Sequence, residues 1–112
     1  MDRNLRQDAS IPTLFLTKMS TPPTPRQSGE GTVLNLSRTG CMIRSDVEVP
    51  IGTDVVLHLY PDNSPVRIEI EQASVRWSRD GRLGIQFHHA QQEDWTNLEA
   101  LMTQLGKRAV CA

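Results

Sequence analysis

The sequence predicts an all-β domain, a small antiparallel barrel followed by one C-terminal helix. Three observations predict it. Short stretches alternate apolar and polar residues with a period of two, as half-buried strands do. Turns rich in proline and glycine separate these stretches at short intervals. After Gln91 the period changes, and apolar residues step by three and four. With 112 residues, 38% hydrophobic and 22% charged, the chain can fill one modest core. Closing the sheet removes the edges that so small an open sheet would expose.

The first strand is expected within Ile11–Lys18, where Leu14, Phe15 and Leu16 follow a proline. Pro22, Pro23 and Pro25 then exclude regular backbone pairing, so residues 20–29 read as a loop. Thr32–Leu36 and Cys41–Ser45 read as strands joined by the tight connection Ser37-Arg38-Thr39-Gly40. Pro50-Ile51-Gly52-Thr53 is a turn. Along Asp54–Tyr60, Val55, Leu57 and Leu59 face one way and Val56, His58 and Tyr60 the other. The segment 61–65 then turns the chain into a long strand, Val66–Trp77.

In that strand Val66, Ile68 and Ile70 share a face. Ala73, Val75 and Trp77 join that face only if one residue is inserted near Glu71-Gln72, so a bulge is expected there. Trp77 is accordingly expected in the core, with Arg76 pointing outward. Arg79-Asp80-Gly81 is a hairpin turn, and Leu83, Ile85 and Phe87 alternate in the closing strand. Trp95, Leu98, Met102 and Leu105 form the helical stripe that covers the open end of the barrel. The helix is expected over about 91–105, with Gly106 as its left-handed stop and Lys107 and Arg108 near its negative end. The expected organisation is a flexible N-terminal tail over 1–9, barrel and helix over 10–106, and a C-terminal tail over 107–112.

Composition excludes several functions. Twelve basic and 13 acidic residues give a net charge of −1, which argues against binding DNA or RNA through a broad basic field. A small anionic ligand needs only a local cluster. No apolar run approaches the roughly 20 residues that span a bilayer, so no membrane insertion is expected. Met1-Asp2-Arg3-Asn4-Leu5-Arg6 has no apolar segment after its charges and does not read as a secretory signal. Cys41 and Cys111 lie far apart and outside any CxxC, so two free thiols in a reducing cytoplasm are expected, and no zinc site.

Adjacent strand residues point to opposite faces, so His88 and His89 do not converge on one metal, and His58 is alone in the sequence. No Ser/His/Asp arrangement, GxSxG or glycine-rich phosphate loop is present, and the chain does not read as an enzyme.

The informative segment is Asn35-Leu36-Ser37-Arg38-Thr39-Gly40. An Asn amide both donates and accepts, which suits a purine edge. Ser37 offers a hydroxyl to a phosphate or carbonyl, and Gly40 permits close approach to the backbone. Taken alone, the hexapeptide reads as a hairpin turn in which Asn35 and Ser37 cap backbone groups.

In its context the sequence resembles the PilZ domain family. The family's [Asp/Asn]-x-Ser-x-x-Gly motif is matched by Asn35, Ser37 and Gly40. The likeness continues through Cys41-Met42-Ile43, Val49-Pro50-Ile51-Gly52, Ala73-Ser74-Val75-Arg76-Trp77 and Leu83-Gly84-Ile85-Gln86-Phe87, and so spans about Asn4 to Leu105. The resemblance implies a six-stranded barrel with a C-terminal helix, and a ligand, cyclic di-GMP. It also implies an Arg-x-x-x-Arg motif before the first strand, whose guanidiniums grip phosphate and stack on guanine, both suited to that group.

Here the motif is Arg3-Asn4-Leu5-Arg6, one residue shorter, and a four-residue step from Arg3 lands on Gln7. Arg26 and Arg38 are further guanidiniums that can compensate, and the outward-pointing Arg76 can line the same surface. The implied binding residues are Arg3, Arg6, Asn35, Ser37, Gly40 and Arg38. Two functions follow. The first is a cyclic di-GMP receptor or adaptor whose affinity for a partner protein changes on binding. The alternative, suggested by the shortened arginine interval, is a degenerate PilZ interaction module that does not bind the nucleotide.

Overall fold

Six antiparallel strands close on themselves in the order β1-β2-β3-β6-β5-β4, with β4 pairing back to β1. The structure, a computed structural model, describes residues 10–21, 28–62 and 66–111. The strands are β1 (Ile11–Ser20), β2 (Ser28–Leu36), β3 (Gly40–Ser45), β4 (Asp54–Tyr60), β5 (Ile68–Arg79) and β6 (Arg82–His89). One helix follows, α1 (Gln92–Cys111). The predicted N-terminal tail and the run Pro22–Gln27 lie outside the described residues.

Alternation along the strands builds the interior. In β4, Val55, Leu57 and Leu59 are buried while Val56, His58 and Tyr60 are only half-buried, as their period predicts. Val33, Leu36, Ile43, Ile68, Ile70, Val75 and Leu83 complete the centre, each no more than 2% exposed. Cys41 is a free thiol in this core, and burial pushes its pKa up, so it stays protonated.

The chain crosses one end of the barrel between β3 and β4, with Val49 buried beneath it. A turn at Ile51-Gly52, closed by Thr53 N–H donating to Pro50 O at 3.2 Å, ends that crossing. Gly52 N–H and Thr53 O then bond to Val75 at 2.7 and 3.0 Å, so the crossing segment already pairs with β5 before β4 begins.

The hairpin between β5 and β6 turns on two residues with positive φ, Asp80 at 53° and Gly81 at 76°. That is the turn whose twist suits a hairpin, and Asp-Gly is its usual sequence.

The long strand β5 departs from regular pairing twice. The register shifts between Gln72 and Ala73, which carries burial from Ile70 to Ala73 as the expected bulge requires. A second shift, between Val75 and Trp77, was not expected from the sequence. It turns Trp77 to the outside, 40% exposed and opposite Gly84, so the expectation of a core tryptophan is corrected. At the other end β5 begins at Ile68, and Val66 lies exposed before it.

The helix lays Leu98 into the core, with Trp95, Leu101, Met102 and Leu105 packed around it. Asp94 fixes its start by accepting the Glu69 backbone N–H at 2.9 Å. Glu93 and Asp94 in the first turn also complement the positive end of the helix dipole.

The helix does not stop at Gly106 but runs through it to Cys111. Packing against β1 outweighs the weak helix propensity of glycine, since a Cβ at this position would sit 3.9 Å from the Ile11 side chain, an ordinary contact. Gly106→Ala should therefore stabilise the domain by about 1 kcal/mol, read from the urea midpoint. A loss of stability would show that the glycine is needed as glycine.

Candidate functional site

The β2–β3 turn is built by Ser37. Its hydroxyl donates to Gly40 O at 3.1 Å and accepts from the backbone N–H groups of Thr39 at 3.3 Å and Gly40 at 3.1 Å. The Ser37 backbone N–H donates to the same Gly40 carbonyl at 2.9 Å. Thr39 O then receives Phe87 N–H at 2.8 Å, which fastens the turn to β6. Ser37 is buried, and its hydroxyl is occupied inside the turn.

Gly40 lacks a side chain for a reason within the barrel. A Cβ there would strike the backbone carbonyl of Ile85 on the neighbouring strand β6. Asn35 is different. It is half-buried at the end of β2, and its side-chain amide has no hydrogen bond among the described residues.

These residues border an open groove of about 340 Å³ on the outside of the barrel. Asn35, Ser37 and Gly40 line one side, and Arg76, Trp77, Gly84 and Gln86 another. Arg76 points outward as expected and has no carboxylate partner among the described residues. Trp77 lies over Gly84, where a Cβ would run into the pyrrole edge of its indole. An aromatic covering a cross-strand glycine in this way shields backbone that glycine leaves bare. Ser10, the first described residue, also lines the groove.

The structure thus brings Asn35, Ser37 and Gly40 together. It sends Arg38 the other way. Its guanidinium stands 3.7 Å from Glu99 on α1, and it borders a separate recess with Trp95, Thr96 and Leu98. Both partners are more than 60% exposed, so the pair contributes at most about 1 kcal/mol. Arg3, Arg6 and Arg26 lie outside the described residues.

Sequence reasoning missed Trp77, Gln86 and Met42 as groove residues. A signal for Trp77 was present. Leu83, Ile85 and Phe87 point inward, so Gly84 points outward and leaves a bare patch that a neighbouring aromatic can cover.

The histidines engage separate partners. His88 Nε2 is 2.7 Å from the Ser74 hydroxyl, while His89 and His58 approach Glu71 and Glu69 at 3.4 and 3.7 Å. No group of three or more metal-ligating side chains occurs among the described residues. No described helix is long and apolar enough to cross a membrane.

The architecture is a closed six-stranded barrel with one packed helix and an open groove of mixed polar and apolar lining on its outer wall. The family model for the PilZ domain matches residues 14–104, and the chain belongs to the PilZ domain family. Among solved structures it is similar to the PilZ domain of CeSA from a cellulose-synthesizing bacterium, at 14% identity and a TM-score of 0.69, over 87% of this chain and 97% of that one. It is similar to the PilZ domain of YcgR from Escherichia coli, a structure with c-di-GMP, at 13% identity and a TM-score of 0.69, over 93% of each chain. A third is the Bacillus subtilis inhibitor of motility MotI/DgrA, at 18% identity and a TM-score of 0.67, over 92% of this chain and 53% of that one. The chain thus spans about half of the MotI/DgrA chain. No curated protein matches the sequence significantly.

The Trp77–Gly84 contact can be tested directly. Gly84→Ala should lift the indole from β6, shift the Trp77 Nε1–H signal in NMR spectra and destabilise the domain by about 1–3 kcal/mol. An unmoved indole signal would show that the ring does not rest on that glycine.

Proposed function

We propose that the protein is a cyclic di-GMP receptor of the adaptor type, acting in the bacterial cytoplasm, whose affinity for a partner protein changes when the nucleotide binds. The observation that carries this reading is the convergence on one groove of an amide and a guanidinium that have no partner among the described residues, together with an exposed indole. Asn35 supplies the donor and acceptor for a guanine edge, Arg76 a phosphate contact and Trp77 a face for stacking. Ser37 and Gly40 act through the turn they shape, which holds Asn35 at the rim.

The position of Ser10 supports a role for the N-terminal arginines. Arg6 lies four positions before it and Arg3 seven, so extended chain reaches at most about 14 and 25 Å from the groove. Those spans are compatible with both guanidiniums reaching a ligand seated there. Arg38 can join by leaving Glu99, because an exposed pair of this kind is weak. A PilZ domain solved with c-di-GMP, that of YcgR, shares this fold over most of the chain, which places the same ligand first among anions to try.

Calorimetric titration should show binding of cyclic di-GMP and not of the linear dinucleotide. Arg6→Ala and Trp77→Ala should each weaken it by roughly tenfold or more, the loss expected for one charged or stacking contact. Ser37→Ala should weaken it by loosening the turn. No heat at high micromolar cyclic di-GMP would overturn the reading and leave a PilZ interaction module that works without nucleotide.

A further inference from the structure

Three arginines form a cross-strand row near the β5–β6 hairpin. Arg44 on β3 lies beside Arg82 on β6, and Arg82 beside Arg79 on β5. Ile43 and Leu83 point into the core, so Arg44 and Arg82 point out, and all three arginines are exposed. None of them makes an ion pair or side-chain hydrogen bond among the described residues. Like charges directly opposed across strands destabilise a sheet, so this row works against the fold that carries it.

The adjoining row, Met42, Gly84 and Trp77, is apolar. Met42, Trp77, Arg79, Asp80 and Arg82 together line a recess of about 410 Å³. Ser45 N–H donates to Gly81 O at 2.9 Å, which pins the hairpin to β3 and holds the row in place.

Arg, Trp and Met are the residue types enriched at protein interfaces, and Arg and Trp are prominent among those that dominate binding energy. A long nucleic acid fits poorly, since the chain carries a net charge of −1 and Asp80 stands in the same recess. Spacing narrows the partner further. Neighbouring strands lie about 4.8 Å apart, so the three arginine positions span about 10 Å. On a helix, carboxylates at i, i+3 and i+7 lie at about 0, 4.5 and 10.5 Å along the axis. The next positions round such a helix fall over the apolar row.

We propose that this face is a docking surface for an acidic amphipathic helix of a partner protein. Its carboxylates pair with Arg44, Arg82 and Arg79, and its apolar edge covers Met42 and Trp77. The surface requires no nucleotide, so its test is independent of ligand binding in the neighbouring groove.

The probe is a synthetic helical peptide with glutamates at i, i+3 and i+7 and leucines on the adjoining face, titrated into the full chain without nucleotide. NMR should show shifts at the guanidiniums of Arg44, Arg79 and Arg82 and at the Trp77 indole. Arg82→Gln should weaken binding by roughly tenfold while the melting temperature holds or rises, because a like-charge contact is removed. A peptide with glutamine in place of glutamate should not bind. Unchanged affinity in Arg82→Gln, or equal binding of the glutamine peptide, would overturn the proposal. So would a single-stranded oligonucleotide or phosphatidylserine vesicles binding through these arginines more tightly than the acidic peptide.

Discussion

The outer surface of this barrel depends on the register shift in β5 between Val75 and Trp77. Val75 is fully buried, and regular alternation would bury Trp77 as well. The shift instead places the indole outside, against Gly84 of β6. A glycine there is what the arrangement requires, since any side chain would occupy the space of the ring. One local departure from the β ladder thus changes a core residue into a wall of the candidate site. It also aligns Arg79 beside Arg82, because the pairs beyond the shift run Trp77 with Gly84, Ser78 with Leu83 and Arg79 with Arg82.

Within the turn motif the residues divide into builders and a presenter. Ser37 occupies its hydroxyl with Gly40 and Thr39 in its own turn, and Gly40 makes room for the Ile85 carbonyl. Both can be explained by the joint between β2, β3 and β6 alone. Asn35 has no such internal use, and its amide stands at the groove. This division separates two kinds of damage. Loss of a builder weakens the fold and the groove together, because buried hydrogen-bond partners are left unmet. Loss of Asn35 removes a surface amide from an intact barrel.

Much of the architecture was legible because period-two alternation reports directly on which side of a sheet a residue faces. Val55, Leu57 and Leu59, the Asp80-Gly81 hairpin, the bulge after Glu71-Gln72 and the helical stripe through Leu98 could all be read that way. Trp77 could not, because a second bulge so close to the first leaves no long run of alternation to betray it. Gly106 misled for a different reason. Local propensity marks it as a stop, whereas docking of the helix on β1 extends the helix past it. In the site, the motif positions were legible as a turn, but not the direction of Arg38. It immediately follows Ser37, and that single step carries it to the helix side of the turn and to Glu99.

Trp77 borders both outward recesses, the one with Asn35 and Arg76 and the one with Arg79 and Arg82. Its ring is seated on Gly84, which puts no side chain beneath it. On the readings proposed above, a ligand that moved the indole toward one recess would reshape the wall of the other. Binding free energies are linked, so an effect of the first occupant on the second is matched by an equal effect of the second on the first. If both proposals hold, the nucleotide groove and the protein-docking face share one aromatic wall and need no rearrangement of the barrel to communicate. The coupling would then reside in a single side chain, placed there by one irregularity in one strand.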